Sequence, residues 1–170
     1  MCSIRLRALV TCSKAADQGN VVAENNLGSM YTNGKGVTQD YAQAIMWYRK
    51  AADQGDAVAQ ENLGGMYANG YGVPQDYKQA VMWDRKAAEE GNDYGQNNLG
   101  QLYFNGHGVP QDYVQAHMWF NLAASRGSYT ALRDMAVRNR DLVAARMTPD
   151  QIAEAQRLAR EWVRSHPSTR

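Results

Sequence analysis

The chain has 170 residues, and its 18 Lys and Arg nearly balance its 17 Asp and Glu, for a formal net charge of +1. This length suits one domain or one short repeat array and is enough to bury a hydrophobic core. The balanced charge excludes a global electrostatic argument for binding nucleic acid or an anionic membrane. No stretch approaches the ~20 apolar residues that span a bilayer, and the apolar run after the basic N-terminus is too short for a signal peptide. We therefore expect a soluble protein, cytoplasmic as the sequence stands, or periplasmic or secreted if a targeting segment has been removed.

A period of 36 residues organises most of the chain. Three tandem copies begin at Lys14, Lys50 and Lys86, and the first two agree at 25 of 36 positions. Repetition at such a period is typical of stacked helical repeats, in which each unit buries its apolar face against its neighbours. We expect one repeat domain over residues 1–170, with repeats at 19–55, 56–91 and 92–127.

The N-terminal segment, residues 1–18, resembles the second half of a unit. Ala15 and Ala16 fall at the repeat positions of Ala51 and Ala52, which predicts an N-terminal cap or half repeat. Cys2 and Cys12 both lie here. On a helix their Cα atoms would be roughly 15 Å apart, so we expect no disulfide between them.

Each complete unit is predicted to contain two helices. In the first, Ala23, Leu27, Met30 and Tyr31 fall on one face at helical spacing. The second has a wider apolar arc, as expected of a helix that packs on two neighbours. Asp40, Asp76 and Asp112 have the spacing of N-caps, and the glycines of the loops suit helix C-termini.

Glycine recurs in the middle of the first helix, as Gly28, Gly64 and Gly100. Glycine costs about 1 kcal/mol relative to alanine there. Its threefold recurrence indicates a packing requirement, and we expect a close approach of neighbouring backbones.

Residues 128–170 depart from the repeat and are predicted to form C-terminal cap helices. Thr148, Pro149 and Gln151 have the pattern of a capping box with proline in the first turn. Residues 122–170 carry nine Arg against five Asp and Glu, whereas residues 1–121 carry nine Lys and Arg against twelve acids. We interpret these arginines as the solvated face of a terminal unit, with nucleic-acid binding by this helix as an alternative.

These positions together resemble the Sel-one-like repeat (SLR) family, a relative of the tetratricopeptide repeats. The match in the first copy runs through the following residues: Ala23, Leu27, Gly28, Tyr31, Gly34, Gly36, Val37, Asp40, Ala44, Trp47, Ala51, Ala52 and Gly55. The resemblance implies an all-α fold, a right-handed α/α superhelix (solenoid) of about three and a half helix-loop-helix repeats with a C-terminal capping helix. It also implies an adaptor role in bacterial protein complexes.

A cysteine-rich branch of that family is associated with β-lactam binding and hydrolysis. Its cysteine pairs close each hairpin, whereas no complete repeat of this chain contains a cysteine. A β-lactamase-like hydrolase is therefore an alternative that the residues do not favour.

The sequence predicts a binding surface on the concave side of the first helices. Repeat positions 22, 25, 29 and 32 vary between copies while the core recurs, and an asparagine flanks them in each copy. The candidate residues are Asn25, Asn26, Ser29, Thr32, Glu61, Asn62, Tyr94, Asn97, Asn98, Gln101 and Phe104. Tyr94 and Phe104 are the candidate anchors, because aromatic side chains dominate interface energies. The alternative for the asparagines is that they brace the repeats internally.

Nothing in the sequence predicts catalysis, a metal or a cofactor. His107, His117 and His166 belong to no cluster with metal-ligand spacing, and we expect His107 on the surface and His117 partly buried. The recurring Met-Trp pairs are interpreted as core. We expect a protein or peptide partner, no nucleic acid, no membrane span, and a monomer or weak homodimer.

Overall fold

The computed structural model describes the backbone of residues 2–126 and 130–167, and the side chains of residues 10–125 and 130–167. The described residues form helices joined by short loops, without a strand, which confirms the predicted all-α class. The helices are α1 (Cys2–Asp17), α2 (Val21–Asn33), α3 (Tyr41–Asp53), α4 (Ala57–Asn69), α5 (Tyr77–Glu89), α6 (Asp93–Asn105), α7 (Tyr113–Arg126), α8 (Thr130–Ala144) and α9 (Pro149–Ser165).

The chain divides into two compact units, Met1–Ala87 and Ala88–Arg170. In the first unit, α1 packs on α2, α2 on α3, and α3 on α4. In the second, α6 packs on α7, and α7 packs on both α8 and α9. Consecutive packing of helices is the helix-loop-helix repeat that the sequence predicts. The single domain over residues 1–170 stays a prediction, and Gly127, the predicted end of the third repeat, lies outside the described residues.

Capping side chains fix where the helices begin. Asp40 begins α3 as predicted, since its Oδ1 accepts a hydrogen bond from the Gln43 amide at 3.0 Å. The first helix of each repeat also has a cap, from Asn20, Asp56 and Asn92, whose side chains accept from the third residue that follows. These bonds satisfy amide donors that have no partner within the helix. The predicted capping box at Thr148 and Gln151 is confirmed at the start of α9.

Glycine ends each first helix, and a glutamine closes the loop that follows. Gly34, Gly70 and Gly106 cap α2, α4 and α6 in the left-handed conformation, which a side chain would strain. Gln39 Nε2 then donates to the Thr32 carbonyl at 2.7 Å, and Gln75 and Gln111 repeat this bond in their own repeats. The loops therefore have the same construction in all three copies.

The core consists of recurring leucine, alanine and tryptophan side chains. Leu27, Leu63 and Leu99 are fully buried, and Trp47, Trp83 and Trp119 are buried as well. In the first unit, Trp47 belongs to one cluster with Ala16, Ala23 and Leu27. The interpretation of the Met-Trp pairs as core is thus confirmed for the tryptophans. The methionines differ in burial: Met46 and Met82 are exposed, whereas Met118 is buried.

The mid-helix glycines make room for a side chain, so the predicted approach of neighbouring backbones is wrong. A Cβ atom on Gly28 would lie 2.5 Å from the ring of Tyr48, which belongs to the second helix of the same repeat. A Cβ on Gly100 would meet the Phe120 ring at 2.8 Å. In the second repeat, the buried Asp84 stands in place of the ring, and its carboxyl group lies beside Gly64.

We predict that Gly28→Ala destabilises the protein by about 1–3 kcal/mol, because the added methyl group forces the Tyr48 ring away from α2. Gly65→Ala in α4 is the matched control, since no atom lies within 4 Å of a Cβ placed there. Alanine at that position should stabilise the helix by about 0.5–1 kcal/mol. Urea unfolding of both variants measures the difference, and equal effects would contradict the ring-on-glycine contact.

Candidate functional site

The outward face of the first helices forms a stripe at repeat positions 22, 26, 29 and 33. Each of these residues is exposed or half-buried, and their spacing keeps them on one line along the helix. We call this face the first-helix stripe. In the first unit it consists of Val22, Asn26, Ser29 and Asn33 on α2 and Val58, Asn62, Gly65 and Asn69 on α4. In the second unit it consists of Tyr94, Asn98, Gln101 and Asn105 on α6.

Repeat position 25 is more buried than the stripe. Asn97 is 1% exposed, and its Oδ1 accepts a hydrogen bond from Asn139 Nδ2 on α8 at 3.0 Å. It therefore braces α6 against α8 and is turned away from solvent, and its role as a binding residue stays a prediction. Asn25 is half-buried with its Oδ1 out of reach of solvent. Glu61 is also half-buried.

Repeat position 32 also turns toward the protein. Thr32 Oγ1 donates to the Gly28 carbonyl at 2.9 Å and lies 3.4 Å from the Tyr48 hydroxyl. Phe104, a predicted anchor, is half-buried between the Tyr113 ring, 5.7 Å away by centroids, and the Arg146 guanidinium, 4.8 Å from its centroid. Both side chains contribute to internal packing, unlike the residues of the stripe.

Three of the six asparagines of the stripe have a common orientation. Asn33, Asn62 and Asn69 each donate Nδ2 to the carbonyl of the residue four positions earlier, at 2.8, 3.0 and 2.7 Å. Such a bond uses the amide donor locally and fixes the side chain, while the Oδ1 atom keeps its capacity to accept. The stripe thus presents ordered hydrogen-bond acceptors beside Val22 and Val58.

A depression of about 480 Å³ lies at the end of the stripe in the first unit, between α1 and α2. Val22 and Asn26 line it from α2, and Thr11, Cys12 and Ala15 line it from α1. Cys12 is a free, half-buried thiol that donates to the Ala23 carbonyl at 3.3 Å, and burial raises its pKa. The other cysteine, Cys2, has a side chain outside the described residues.

Of the three histidines, His117 is the one that lies in the core. It is 3% exposed, and its Nδ1 forms no hydrogen bond with the part of the chain that the structure describes. Burial lowers its pKa; the positive charge of Arg140 lowers it further, and the negative charge of Asp141 opposes this. His107 is exposed as expected. His166 stacks on Trp162 with ring centroids 4.3 Å apart.

The described residues offer neither a metal-binding cluster nor a membrane-spanning helix. In that part of the chain, no three His, Cys, Asp or Glu side chains are grouped so as to hold a metal ion. No described helix is both long and apolar enough to cross a bilayer.

The fold and the loop construction define a class, the α/α helical repeat proteins. The family model described as the Sel1 repeat matches three consecutive segments, residues 21–56, 57–92 and 93–128. The chain belongs to the Sel1-repeat family. Proteins of this family are typically protein-interaction scaffolds and are generally non-catalytic.

Two solved structures show the same fold. One is c5321, a protective antigen present in uropathogenic Escherichia coli strains displaying an SLR fold. It is 30% identical with a TM-score of 0.70, and the match covers 94% of this chain and 41% of the antigen. The other is a Sel1 repeat protein from Oxalobacter formigenes, 37% identical with a TM-score of 0.67, over 78% of this chain and 98% of that protein. No curated protein matches the chain at a significant level.

We predict that Phe104→Ala destabilises the protein by about 1–3 kcal/mol, because it removes a ring packed between Tyr113 and Arg146. Gln101→Ala, in the same helix but exposed, is the control and should change the free energy of unfolding by less than about 0.5 kcal/mol. Chemical denaturation measures both. If Phe104→Ala left stability unchanged, the ring would not be part of the internal packing.

We predict that His117→Val removes a pH-dependent contribution to stability. Ile45 and Val81 occupy the same repeat position, so valine should fit. Because the folded-state pKa is lowered, the unfolded chain binds more protons, and wild-type stability should fall as the pH drops below about 6.5. The free energy of unfolding of the variant, relative to that of wild type, should therefore increase as the pH is lowered from about 7.5 to about 5. A difference independent of pH would contradict a neutral buried imidazole.

Proposed function

We propose that this chain binds an extended peptide segment of another protein along the part of the first-helix stripe that lies in the first unit, on α2 and α4. The proposal is more specific than the general role of the family, since it assigns the surface. It rests mainly on one observation: an apolar residue stays exposed at the same position of each repeat. Val22 is 65% exposed, Val58 48% and Tyr94 42%. Single exposed apolar residues need no explanation, but their recurrence at one position of α2 and α4 suits neighbouring side-chain contacts within the first unit.

The asparagines supply the polar half of the proposed interface. An extended peptide has backbone N–H groups that need acceptors once they leave water. The Oδ1 atoms of Asn33, Asn62 and Asn69 are suited to accept them, because their own Nδ2 groups are already bonded within the helix. Asn26 is exposed on the same line. Backbone contacts would provide affinity for many sequences, and the apolar contacts would select among them.

The depression between α1 and α2 adds a place for an anchoring side chain. Its volume of about 480 Å³ lies within the range of about 300–1,000 Å³ that is usual for ligand pockets. Val22 and Asn26 belong to both the depression and the stripe. A peptide running along the first unit would therefore place one apolar side chain against Val22 and Ala23, beside the proposed asparagine contacts.

Catalysis is not part of the proposal. The β-lactam hydrolase alternative would need an activated nucleophile, and thiolates are activated where the pKa is lowered. The raised pKa of Cys12 has the opposite effect, since it keeps the thiol protonated at neutral pH.

The test uses peptides selected from a random twelve-residue phage library panned on the whole chain. The best binders are synthesised with a fluorophore, and their Kd is measured by fluorescence anisotropy. We expect the double variant Val22→Glu, Val58→Glu to weaken binding at least about tenfold, equivalent to about 1.4 kcal/mol. Asn26→Ala with Asn62→Ala should weaken binding of the same peptides.

The control is the double variant Met46→Glu, Met82→Glu, which places the same charges on exposed methionines of the second helices. It should leave the Kd unchanged. If the peptides bind the control variant more weakly than wild type but bind the stripe variants as tightly as wild type, the binding surface lies elsewhere and the proposal is overturned. Thermal melting of each variant confirms that it is folded.

A further inference from the structure

A second surface lies in the second unit, in a groove between the C-terminal ends of α7 and α9. It has a volume of about 360 Å³. Leu122 on α7 and Ala159 on α9 form its buried floor, and Val163 lies beside them, partly exposed. Arg160 and Arg164, both exposed, stand at its rim. The groove is thus apolar at the bottom and cationic at the edge.

The floor of this groove depends on a substitution within the repeat. At the position of Leu122, the two preceding repeats have Lys50 and Lys86, whose ammonium groups lie over the rings of Trp47 and Trp83 at 4.1 and 4.4 Å. A lysine there covers the tryptophan of its own helix with a charged chain. Leucine instead gives an apolar surface, which α9 extends through Ala159 and Val163.

The two arginines of the rim are not neutralised by their own helix. Arg157 binds both neighbouring carboxylates of α9, Glu154 at 2.6 Å and Glu161 at 2.5 Å. Among the described residues, neither Arg160 nor Arg164 forms an ion pair. Their guanidinium groups therefore remain available to carboxylates, which they bind in a bidentate geometry.

We propose that this groove binds an acidic peptide segment of a partner protein. An apolar side chain of the segment, of leucine size, packs on Leu122, Ala159 and Val163, and flanking carboxylates pair with Arg160 and Arg164. The site is separate from the first-helix stripe, so either can fail without the other.

The observations favour a peptide over a nucleic acid. Single-stranded nucleic acids bind through bases stacked on exposed aromatic faces together with cations along the backbone. Here the aromatic ring of α9, Trp162, stacks against His166 and meets Trp119 edge to face, with ring centroids 6.1 Å apart. An apolar floor of Leu122 and Ala159 suits an aliphatic side chain and offers nothing to a phosphate.

The probe is a fluorescent, acetylated hexapeptide with two central leucines flanked on each side by two glutamates. It is titrated with the whole chain in low salt, and the Kd is read by anisotropy. We expect the double variant Arg160→Gln, Arg164→Gln to weaken binding at least tenfold, and Val163→Glu to do the same through the groove wall. Arg133→Gln with Arg138→Gln, which removes two exposed arginines of α8, is the matched control and should leave the Kd within twofold.

Two further probes separate the contributions. Replacing the glutamates by glutamines, or the leucines by serines, should each weaken binding at least tenfold. The proposal is overturned if the Arg160/Arg164 variant binds the probe like wild type, if the α8 control loses affinity equally, or if either altered peptide binds unchanged. It is also overturned if a fifteen-residue oligothymidine binds more tightly than the probe, or if wild type, but not the Arg160/Arg164 variant, forms dimers.

Discussion

The contact between a glycine of the first helix and a side chain of the second sets the geometry of each hairpin. Tyr48 lies on Gly28 and Phe120 on Gly100, so closely that a methyl group would not fit between them. This contact fixes which side of the first helix turns toward its partner helix. Thr32, one turn after Gly28, turns inward with it and hydrogen-bonds at the same boundary. The stripe at Val22, Asn26, Ser29 and Asn33 is what remains facing outward.

The three repeats differ in some of the buried side chains that pack between their helices, as well as in their surface residues. In the second repeat, the buried carboxyl group of Asp84 replaces the aromatic ring beside the glycine. In the third, His117 occupies a position held by Ile45 and Val81, and burial lowers its pKa. Both polar groups are compatible with the helical repeat because the buried leucines and tryptophans recur in all three repeats. The repeated core thus permits local chemical differences without a change of fold.

The two proposed surfaces arise in different ways. The first-helix stripe follows from the period, because the same outward positions recur in every copy. The groove beside α9 follows from the end of the period, where Leu122 replaces a recurring lysine and α9 places Arg160 and Arg164 at the rim. Terminal units of repeat proteins must cover the last apolar face and are free to diverge. Divergence here places an apolar floor beside two cations, Arg160 and Arg164, that form no ion pair with the described residues.

The sequence by itself determined the helices, their caps and the buried tryptophans, because these depend on spacing along one chain. It also located the outward face of the first helices to within one residue position, through variation at Val22, Ser29 and their counterparts. Only the tertiary structure decided that Asn97 bonds to Asn139 and that Phe104 packs against Arg146. Asn139 lies on α8 and Arg146 lies just after its C-terminus, both beyond the regular repeat, so the period carries no information about them. For the same reason the groove between α7 and α9 was not predictable: it depends on how a nonrepeating helix packs.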